Sequence, residues 1–267
     1  MSLSIAYSPC PNDTFVFHAL AHGLVEGAPP VEVTYADVDV TNIEAGKGTY
    51  DLVKVSYAAL PWLLDRYELL PCGGALGFGC GPLVLTKGRS VEGGTVAVPG
   101  ERTTAYLLFR LWAAKTRPGR IEVVPFHEIM PGVADGRYDA GLVIHEARFT
   151  YPRYGLRAEA DLGEWWQGQT GLPIPLGAIL AKRDTVDPTQ AARWIRASVR
   201  LAWAYPARSQ EYVLAHAQEM EPDVVAQHIA LYVNRFTEDL GDDGYAAVRA
   251  LLSRAADAGL VPSSSGL

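Results

Sequence analysis

The sequence is poor in cysteine and has no long apolar run, and both shortages narrow the class of protein. The three cysteines, Cys10, Cys72 and Cys80, are an odd number and form no C-x-x-C pair, so neither a disulfide framework nor a zinc site is indicated. No apolar stretch approaches the ~20 residues that cross a bilayer. The first residues also lack the basic segment and apolar run of a secretory signal. We therefore expect a cytoplasmic protein without membrane insertion.

Clusters of basic residues are missing as well. The chain of 267 residues carries a formal net charge of −7, with 20% charged and 49% hydrophobic residues. This composition argues against a nucleic-acid partner and is typical of a globular core rather than a disordered chain. The length fits one large domain or two compact lobes. No pattern in the sequence indicates an oligomeric state.

Short apolar runs alternate with helical segments along the first two thirds of the chain. Strands are predicted at residues 4–8, 31–35, 51–55, 82–86, 95–98, 121–125, 140–144 and 175–181. Helices are predicted at 57–64 and 103–115, and also after Asn12 or Asp13, either of which can cap a helix that Gly23 ends. Four further helices are predicted at 189–205, 210–219, 223–236 and 245–258. This alternation predicts an α/β fold with parallel sheets.

A weak internal repeat indicates two similar halves. A G-x-Y-D turn precedes a strand at residues 48–51 and again at 136–139, and GPLVLTK at 81–87 resembles LGAILAK at 176–182. Chance similarity between short strands is the alternative explanation. We predict a two-lobe, type II periplasmic-binding-protein-like fold. One lobe would hold residues 1–87 plus 182–267, including the C-terminal helices, and residues 88–181 would form the inserted lobe. A ligand would bind between them, beyond the carboxyl ends of the strands.

The turn after the first strand, SPCPNDT, is the first candidate for a wall of that cleft. Its two prolines and its Asn-Asp pair restrict the backbone before a helix. The segment is either a simple helix start or a rigid cleft wall that brings Cys10 and Asn12 to the ligand. A catalytic thiolate is not expected, because no histidine or lysine is obviously placed to activate Cys10.

Two further strand ends offer groups that could bind an anion. Lys54, Val55 and Ser56 end a buried strand, where an unpaired ammonium is costly, and Ser56 can either cap the next helix or bind an anion. A second helix start carries Thr103, Thr104, Ala105 and Tyr106 after a glycine turn. Its free N–H groups and two hydroxyls predict a carboxylate or phosphate site, with plain N-capping as the alternative. The spacing is not that of a P-loop.

His145 is the strongest candidate for acid–base chemistry. It follows the apolar strand AGLVI and precedes Glu146, and imidazole suits a general base near neutral pH. The alternative is a histidine bonded to backbone at a strand end. No H-E-x-x-H or other metal spacing occurs, and His145 with Glu146 cannot form a zinc site alone. The histidines in helices or loops are weaker candidates: His18, His22, His127, His216 and His228.

Aromatic side chains cluster after His145. They are Phe149, Tyr151, Tyr154, Trp165 and Trp166. Core packing explains most such residues, but a flat aromatic substrate stacked in the cleft would explain them too. Tyr154 is the member that we expect to contact the substrate.

Five segments together resemble the 1,4-dihydroxy-6-naphthoate synthases of the futalosine route to menaquinone. They are SPCPNDTF, KVSYAA, VPGERTTAY, LVIHEARFTYPRYGL and TGLPIPLGAILAKR, and the resemblance runs from about residue 4 to about residue 260. It implies a two-lobe fold and cleavage of cyclic dehypoxanthine futalosine, an aromatic carboxylate, with release of dihydroxyacetone. It also implies His145 as the general base, substrate contacts at 54–56 and 103–106, and neither a metal nor an organic cofactor.

Two other functions are compatible with these features. A chorismate dehydratase of the same pathway shares the two-lobe fold, although SPCPNDTF and the His-Glu pair favour the synthases. A non-catalytic binding protein for a small acid is the other alternative, and the lack of a signal peptide argues against it.

Overall fold

The computed structural model describes residues 2–217 and 221–263, which form two mixed β-sheets with helices on their faces. Every predicted strand is present, with ends shifted by at most two residues. The strands are β1 Leu3–Tyr7, β2 Val31–Tyr35, β3 Leu52–Ser56, β4 Tyr67–Leu69, β5 Ala75–Gly77, β6 Leu83–Thr86, β7 Thr95–Val98, β8 Arg120–Val123, β9 Ala140–Val143, β10 Arg157–Asp161 and β11 Ile174–Lys182. Three of them, β4, β5 and β10, were not predicted.

Eleven α-helices accompany these strands in the described residues. They are α1 Pro11–Ala21, α2 Val38–Lys47, α3 Thr104–Thr116, α4 Phe126–Ala134, α5 Ala147–Thr150, α6 Leu162–Thr170, α7 Pro188–Ala204, α8 Gln210–His216, α9 Pro222–Tyr232, α10 Arg235–Glu238 and α11 Gly241–Asp257. The segment predicted as a helix at 57–64 forms a 3₁₀ helix, Tyr57–Trp62, that contains Pro61. Proline has no N–H to donate, which disfavours regular α-helix at this point.

The C-terminal segment after β11 is helical as predicted, but one predicted helix is interrupted and another extends beyond the described residues. The predicted helix at 223–236 is split into α9 and α10, because Asn234 leaves the helical conformation and caps α10 in a reciprocal pair with Thr237. The prediction at 210–219 ends in residues that lie outside the described part of the chain. None of the described helices is both long and apolar enough to cross a membrane.

The first sheet has the strand order β2-β1-β3-β11-β4, and β5 also pairs with β11. Strands β1, β2 and β3 are mutually parallel, whereas β11 runs antiparallel to β3, β4 and β5. Helix α1 packs against α7, α8 and α9 on this sheet. The C-terminal helices therefore cover the first lobe, with a core that includes Phe17 and Ile195.

The second sheet has the strand order β10-β6-β9-β7-β8. Strand β7 is parallel to β8 and β9, but β6 is antiparallel to both β9 and β10. The prediction of wholly parallel sheets is therefore wrong. Two strands, β6 and β11, run antiparallel to the parallel strands of their sheets. The chain reaches each of them from the other lobe and not through a helical crossover within the same sheet.

Sheet membership also shifts the predicted lobe boundaries. Strand β6, placed in the first lobe by the 1–87 prediction, belongs to the second sheet, and β11, placed in the inserted lobe by the 88–181 prediction, belongs to the first. The chain therefore crosses between sheets at residues 78–82 and 171–173. Strands β6 and β11, which carry the similar segments 81–87 and 176–182, each follow a crossing directly and pair with buried strands of the sheet that the chain enters.

Candidate active site

The carboxyl ends of strands from both sheets face one cleft. Residues 8–13 follow β1, Ser56 ends β3, residues 99–105 follow β7, and His145 lies two residues beyond β9. The cavity between them has a volume of about 70 Å³. Its lining residues are Ser8, Asn12, Asp13, Val38, Thr41, Lys54, Ser56, Ala75, Cys80, Pro82, Thr103, Thr104, Ala105, Ile144, His145, Leu176, Gly177 and Tyr232. His145, Ser56 and Thr104 thus share a single cavity.

His145 stands in a backbone conformation that non-glycine residues rarely adopt. Its φ is 57°, in the left-handed region, so the strand ends abruptly and the side chain turns into the cleft. Such strain is held by the surrounding structure and concentrates at functional sites. Nδ1 of His145 lies 3.2 Å from Sγ of Cys10, and the ring of Phe126 packs 5.7 Å away, centroid to centroid. The backbone alternative, a histidine bonded to main chain, does not describe this contact.

Burial keeps the imidazole of His145 neutral. Loss of solvent, and secondly the ammonium of Lys54, lower the pKa of His145 to about 4. An imidazole with this pKa carries no charge at pH 7 and so has one nitrogen lone pair available to take a proton. The group is therefore in the protonation state that a general base requires.

Cys10 has a histidine neighbour that the sequence did not reveal. The prediction against a catalytic thiolate assumed that no such neighbour existed, and that assumption is wrong. The thiol is nevertheless no nucleophile in this state, because burial, followed by the charge of Glu146, raises the pKa of Cys10 well above its usual value. Nucleophilic cysteines are thiolates in electropositive surroundings. Cys10 does not itself line the cavity but lies behind His145.

Cys10, His145 and Glu146 bring a sulfur, a nitrogen and a carboxylate oxygen within 4.8 Å of one another. Cys10 comes from a distant part of the chain, so the sequence pattern indicated only His145 with Glu146. In this arrangement the raised pKa of Cys10 keeps its proton on sulfur. The arrangement is consequently a hydrogen-bonded cluster, with Sγ of Cys10 donating towards Oε2 of Glu146 over 4.0 Å.

Lys54 is paired inside the protein. Its Nζ donates to Oδ1 of Asp13 at 2.6 Å and to the carbonyl of Gly73 at 3.2 Å, and both charged side chains are buried. Burial raises the pKa of Asp13 and the nearby ammonium opposes that rise. Gly177 is needed beside this pair, because a Cβ there would lie 2.9 Å from Cε of Lys54. Lys54 is thus held within the wall that it lines.

Ser56 offers a hydroxyl to the cavity. It occupies the position before the 3₁₀ helix, but its side chain makes no capping hydrogen bond, so the capping alternative is wrong. Asn42 holds the residue from behind, since its Nδ2 donates to Oγ of Ser56 at 3.1 Å and its Oδ1 accepts from the Ser56 N–H at 2.8 Å. The hydroxyl proton of Ser56 can therefore be donated to a ligand.

At the start of helix α3, the hydroxyl groups of Thr103 and Thr104 bind other groups of the protein. Oγ1 of Thr103 donates to Gly100 and accepts from the Tyr106 N–H, and so caps the helix. Oγ1 of Thr104 donates to the carbonyl of Leu176 at 2.8 Å. Both hydroxyl protons are therefore used within the protein in this structure, and donation from these hydroxyls to an anion stays a prediction.

Two backbone donors of α3 are still suited to an anion. The N–H groups of Thr104 and Ala105 belong to the first helical turn, which has no intrahelical acceptors for them. Both residues line the cavity, and the helix dipole favours negative charge at this end. Thr103 can therefore cap the helix while an anion binds at the same helix start. The cap accepts only the N–H of Tyr106 and leaves those of Thr104 and Ala105 for a ligand.

Besides Cys10, three residues predicted to contact the ligand lie outside the cavity. The hydroxyl of Tyr106 accepts from Arg110 at 2.8 Å on the outer side of α3. Val55 points into the core because alternate residues of a strand face opposite sides. Tyr154 is 40% exposed in a 3₁₀ helix at the surface. None of the five aromatic residues after His145 lines the cavity, and Trp166 packs in the core, where its Nε1 donates to the carbonyl of Pro173.

Helix α9 supplies one cavity residue that the sequence did not indicate, Tyr232, and a buried histidine, His228, that binds a cavity residue. Tyr232 lines the cavity, and Nε2 of the buried His228 lies 2.8 Å from Oδ1 of Asn12. Burial lowers the pKa of His228 well below its usual value, so the neutral ring donates to the amide oxygen. Asn12 and Asp13 lie within α1 rather than capping it, because the helix begins at Pro11 and Cys10 is the residue before it. A buried histidine in a tail helix gave no local signal of this contact.

Comparison with known proteins agrees with the fold and the motifs. A family model described as menaquinone biosynthesis matches residues 3–257. The chain is 64% identical to a 1,4-dihydroxy-6-naphthoate synthase of Streptomyces coelicolor, over 98% of this chain and 95% of that protein. It is 47% identical to the protein of the same name from Thermus thermophilus, over 98% and 97% respectively.

Solved structures give the same picture of the fold. A protein from Archaeoglobus fulgidus has a TM-score of 0.91 and 33% identity, covering 97% of this chain and 98% of its own. A Candida albicans protein described as having the generic periplasmic binding protein fold has a TM-score of 0.73 at 11% identity, covering 99% and 92%. The second likeness concerns the fold alone, and it agrees with the predicted two-lobe architecture.

Proposed function

The chain belongs to the menaquinone biosynthesis family, and from that membership we propose that it is the lyase that converts cyclic dehypoxanthine futalosine to 1,4-dihydroxy-6-naphthoate and dihydroxyacetone. The observation that carries the proposal is that His145, Ser56 and the start of α3 line one cavity. A neutral base on one side and donors for an anion on the other are what this substrate, a benzoate with a reactive sugar-derived ring, requires.

The substrate carboxylate is placed at the start of α3 in this proposal. The N–H groups of Thr104 and Ala105 and the hydroxyl of Ser56 would donate to its oxygens. Hydrogen bonds to a charged group are stronger than those between neutral groups. The aromatic ring of the substrate would then rest on apolar lining side chains such as Leu176 and Ile144. This placement leaves the sugar-derived part of the substrate towards His145.

The chemical step begins with proton transfer to His145. The imidazole takes the proton of a substrate hydroxyl, and the electrons of that O–H bond form the carbonyl of the departing fragment. The adjacent carbon–carbon bond breaks, its electron pair passes to an oxygen of the ring system, and that oxygen takes the proton back from His145 as the ring becomes the aromatic naphthol. The step needs no oxidant or reductant, because it is a retro-aldol-like cleavage. Aromatisation drives it forward.

Substrate entry requires the two lobes to part. A cavity of about 70 Å³ has room for only a few water molecules, which is far less than a nucleoside-derived substrate occupies. We infer that the lobes open around the two connections that cross between them, residues 78–82 and 171–173, and close again on the substrate. Closure would exclude water and align His145 with the hydroxyl.

The direct experiment is to incubate the purified protein with cyclic dehypoxanthine futalosine and to follow both products by mass spectrometry. We expect equal amounts of the naphthoate and dihydroxyacetone. Loss of water from chorismate, with no reaction of the futalosine derivative, would instead identify a chorismate dehydratase. A thermal shift with the futalosine derivative but no product would identify a binding protein.

A further inference from the structure

Cys10 lies next to the proposed base, but it takes no part in the chemical step proposed above. The thiol is buried behind His145, with its Sγ 3.2 Å from Nδ1 of His145 and 4.0 Å from Oε2 of Glu146. It cannot move far, because Cys10 stands between Pro9 and Pro11, and its carbonyl accepts hydrogen bonds from the first turn of α1. The sulfur is therefore held between an imidazole and a carboxylate.

The direction of these hydrogen bonds decides which nitrogen of His145 carries the proton. The thiol donates to Oε2 of Glu146 in the observed arrangement, and its sulfur can then accept the N–H of Nδ1. In that arrangement Nε2 has no proton and can act as a base. If the thiol instead donated to Nδ1, the proton of the neutral ring would be on Nε2, which could not take another one.

The contact also joins the two walls of the cleft. Cys10 follows β1 of the first sheet, whereas His145 and Glu146 follow β9 of the second sheet. The thiol therefore connects groups on opposite lobes. The base is prepared in the closed arrangement that also encloses the substrate.

We propose that Cys10 is a positioning residue, whose thiol accepts the Nδ1 proton of His145, donates to Glu146 and so keeps Nε2 of His145 unprotonated for catalysis. This proposal rests on the proposed function for its catalytic meaning, but the protonated nitrogen can be identified in the free protein. Cys10 does not touch the substrate and forms no covalent bond to it.

The first test measures the tautomer directly. Protein labelled with ¹⁵N in histidine is compared by NMR as wild type, Cys10→Ala and Cys10→Ser, with the His145 signals identified from their loss in His145→Gln. We expect a proton on Nδ1 in wild type and in Cys10→Ser, whose hydroxyl keeps both hydrogen-bonding roles. In Cys10→Ala the population should shift towards a proton on Nε2. A proton on Nε2 in the wild type, or the same pattern in wild type and Cys10→Ala, would overturn the proposal.

The second test measures turnover. We expect kcat of Cys10→Ala to fall by about 10–100-fold, the size of effect typical of partners that orient a functional histidine, with little change in KM. Cys10→Ser should recover most of the lost kcat. The matched control is Cys72→Ala, another buried cysteine whose Sγ donates to Ala192 away from the cavity, and it should keep the wild-type kcat. Equal losses in Cys10→Ala and Cys72→Ala would mean that Cys10 serves packing only.

The two tests separate this proposal from the proposed function. If the protein does not cleave the futalosine derivative, the NMR comparison still reports whether Cys10 selects the tautomer. If cleavage is normal while Cys10→Ala changes neither the tautomer nor kcat, the positioning role alone is refuted.

Discussion

The two walls of the cleft use their polar groups differently. On the wall built from the first sheet, polar side chains mostly bind one another: Lys54 pairs with Asp13, and Asn12 accepts from His228. On the wall built from the second sheet, His145 and the first N–H groups of α3 face the cavity with donor or acceptor capacity left for a ligand. Ser56 and Ser8 also give the first wall hydroxyls at the cavity, and each accepts a hydrogen bond from within the protein that leaves its proton for a ligand.

This difference indicates that the two walls have different roles. Buried charged groups that are paired within one wall give that wall a defined shape, because breaking such a pair leaves an uncompensated charge. Groups without a protein partner are the ones that can bind and react with a substrate. We infer that the first wall positions and the second wall performs the chemistry. Four predictions test this contrast, from the largest expected effect to the smallest.

Replacing His145 should produce the largest loss. In His145→Gln the base is absent while the volume is largely kept, so kcat should fall by about 10²–10⁴-fold, with KM changed much less. Steady-state kinetics with cyclic dehypoxanthine futalosine measure both constants. Turnover close to that of wild type would assign the base to another group and remove the chemical role from the second wall.

Breaking the ion pair of the first wall should act on stability. Lys54→Met leaves Asp13 buried without its cation, and such losses cost about 3–5 kcal/mol in the free energy of unfolding. Urea denaturation measures the change. The control is Lys47→Met, which removes an exposed pair with Glu44 and should cost less than about 1 kcal/mol. Similar losses in the two variants would contradict a structural role for the buried pair.

Removing the Ser56 hydroxyl tests a donor that the first wall offers to the proposed carboxylate. Ser56→Ala should raise KM by about 10-fold or more, since a hydrogen bond to a charged group is worth about 1.5–3 kcal/mol, and kcat should change little. Ser209→Ala is the matched control, because Ser209 is buried and donates to Pro206 far from the cavity. An unchanged KM in Ser56→Ala would place the carboxylate elsewhere.

The depressed pKa of His145 predicts a pH dependence of stability. Its pKa falls from 6.5 to about 4 on folding, so between these values the unfolded chain binds a proton that the folded chain does not. The stabilisation is fully present above pH 6.5 and is lost as pH falls towards 4, by up to about 1.4 kcal/mol per pH unit. His145→Gln should show a shallower decline of unfolding free energy over this range. Identical slopes would mean that His145 titrates normally.

Much of the cleft could be predicted because its groups lie at the ends of apolar strands. His145 follows β9 and Ser56 ends β3, and strand ends of an α/β fold converge on one side. The short strands β4 and β5 have three residues each, too few to show a period. Strand β10, RAEAD, is charged and largely exposed. These three depend on tertiary pairing rather than on local pattern.

The contacts that complete the site could not be predicted, because they join residues distant in the chain. Lys54 and Asp13 are 41 residues apart, Cys10 and His145 are 135 apart, and Asn12 and His228 are 216 apart. A single sequence shows that Lys54 needs a buried partner but not which acid supplies it. The hydrogen bond from the Thr104 hydroxyl to the Leu176 carbonyl could not be predicted either, because the two residues are 72 apart in the chain.

The most direct measurement is a crystal structure of His145→Gln with cyclic dehypoxanthine futalosine bound. We predict that the substrate carboxylate accepts hydrogen bonds from the N–H groups of Thr104 and Ala105, and that the hydroxyl to be deprotonated faces position 145. A carboxylate bound to Lys54 or Asn12, with the reactive hydroxyl turned away from position 145, would contradict the account.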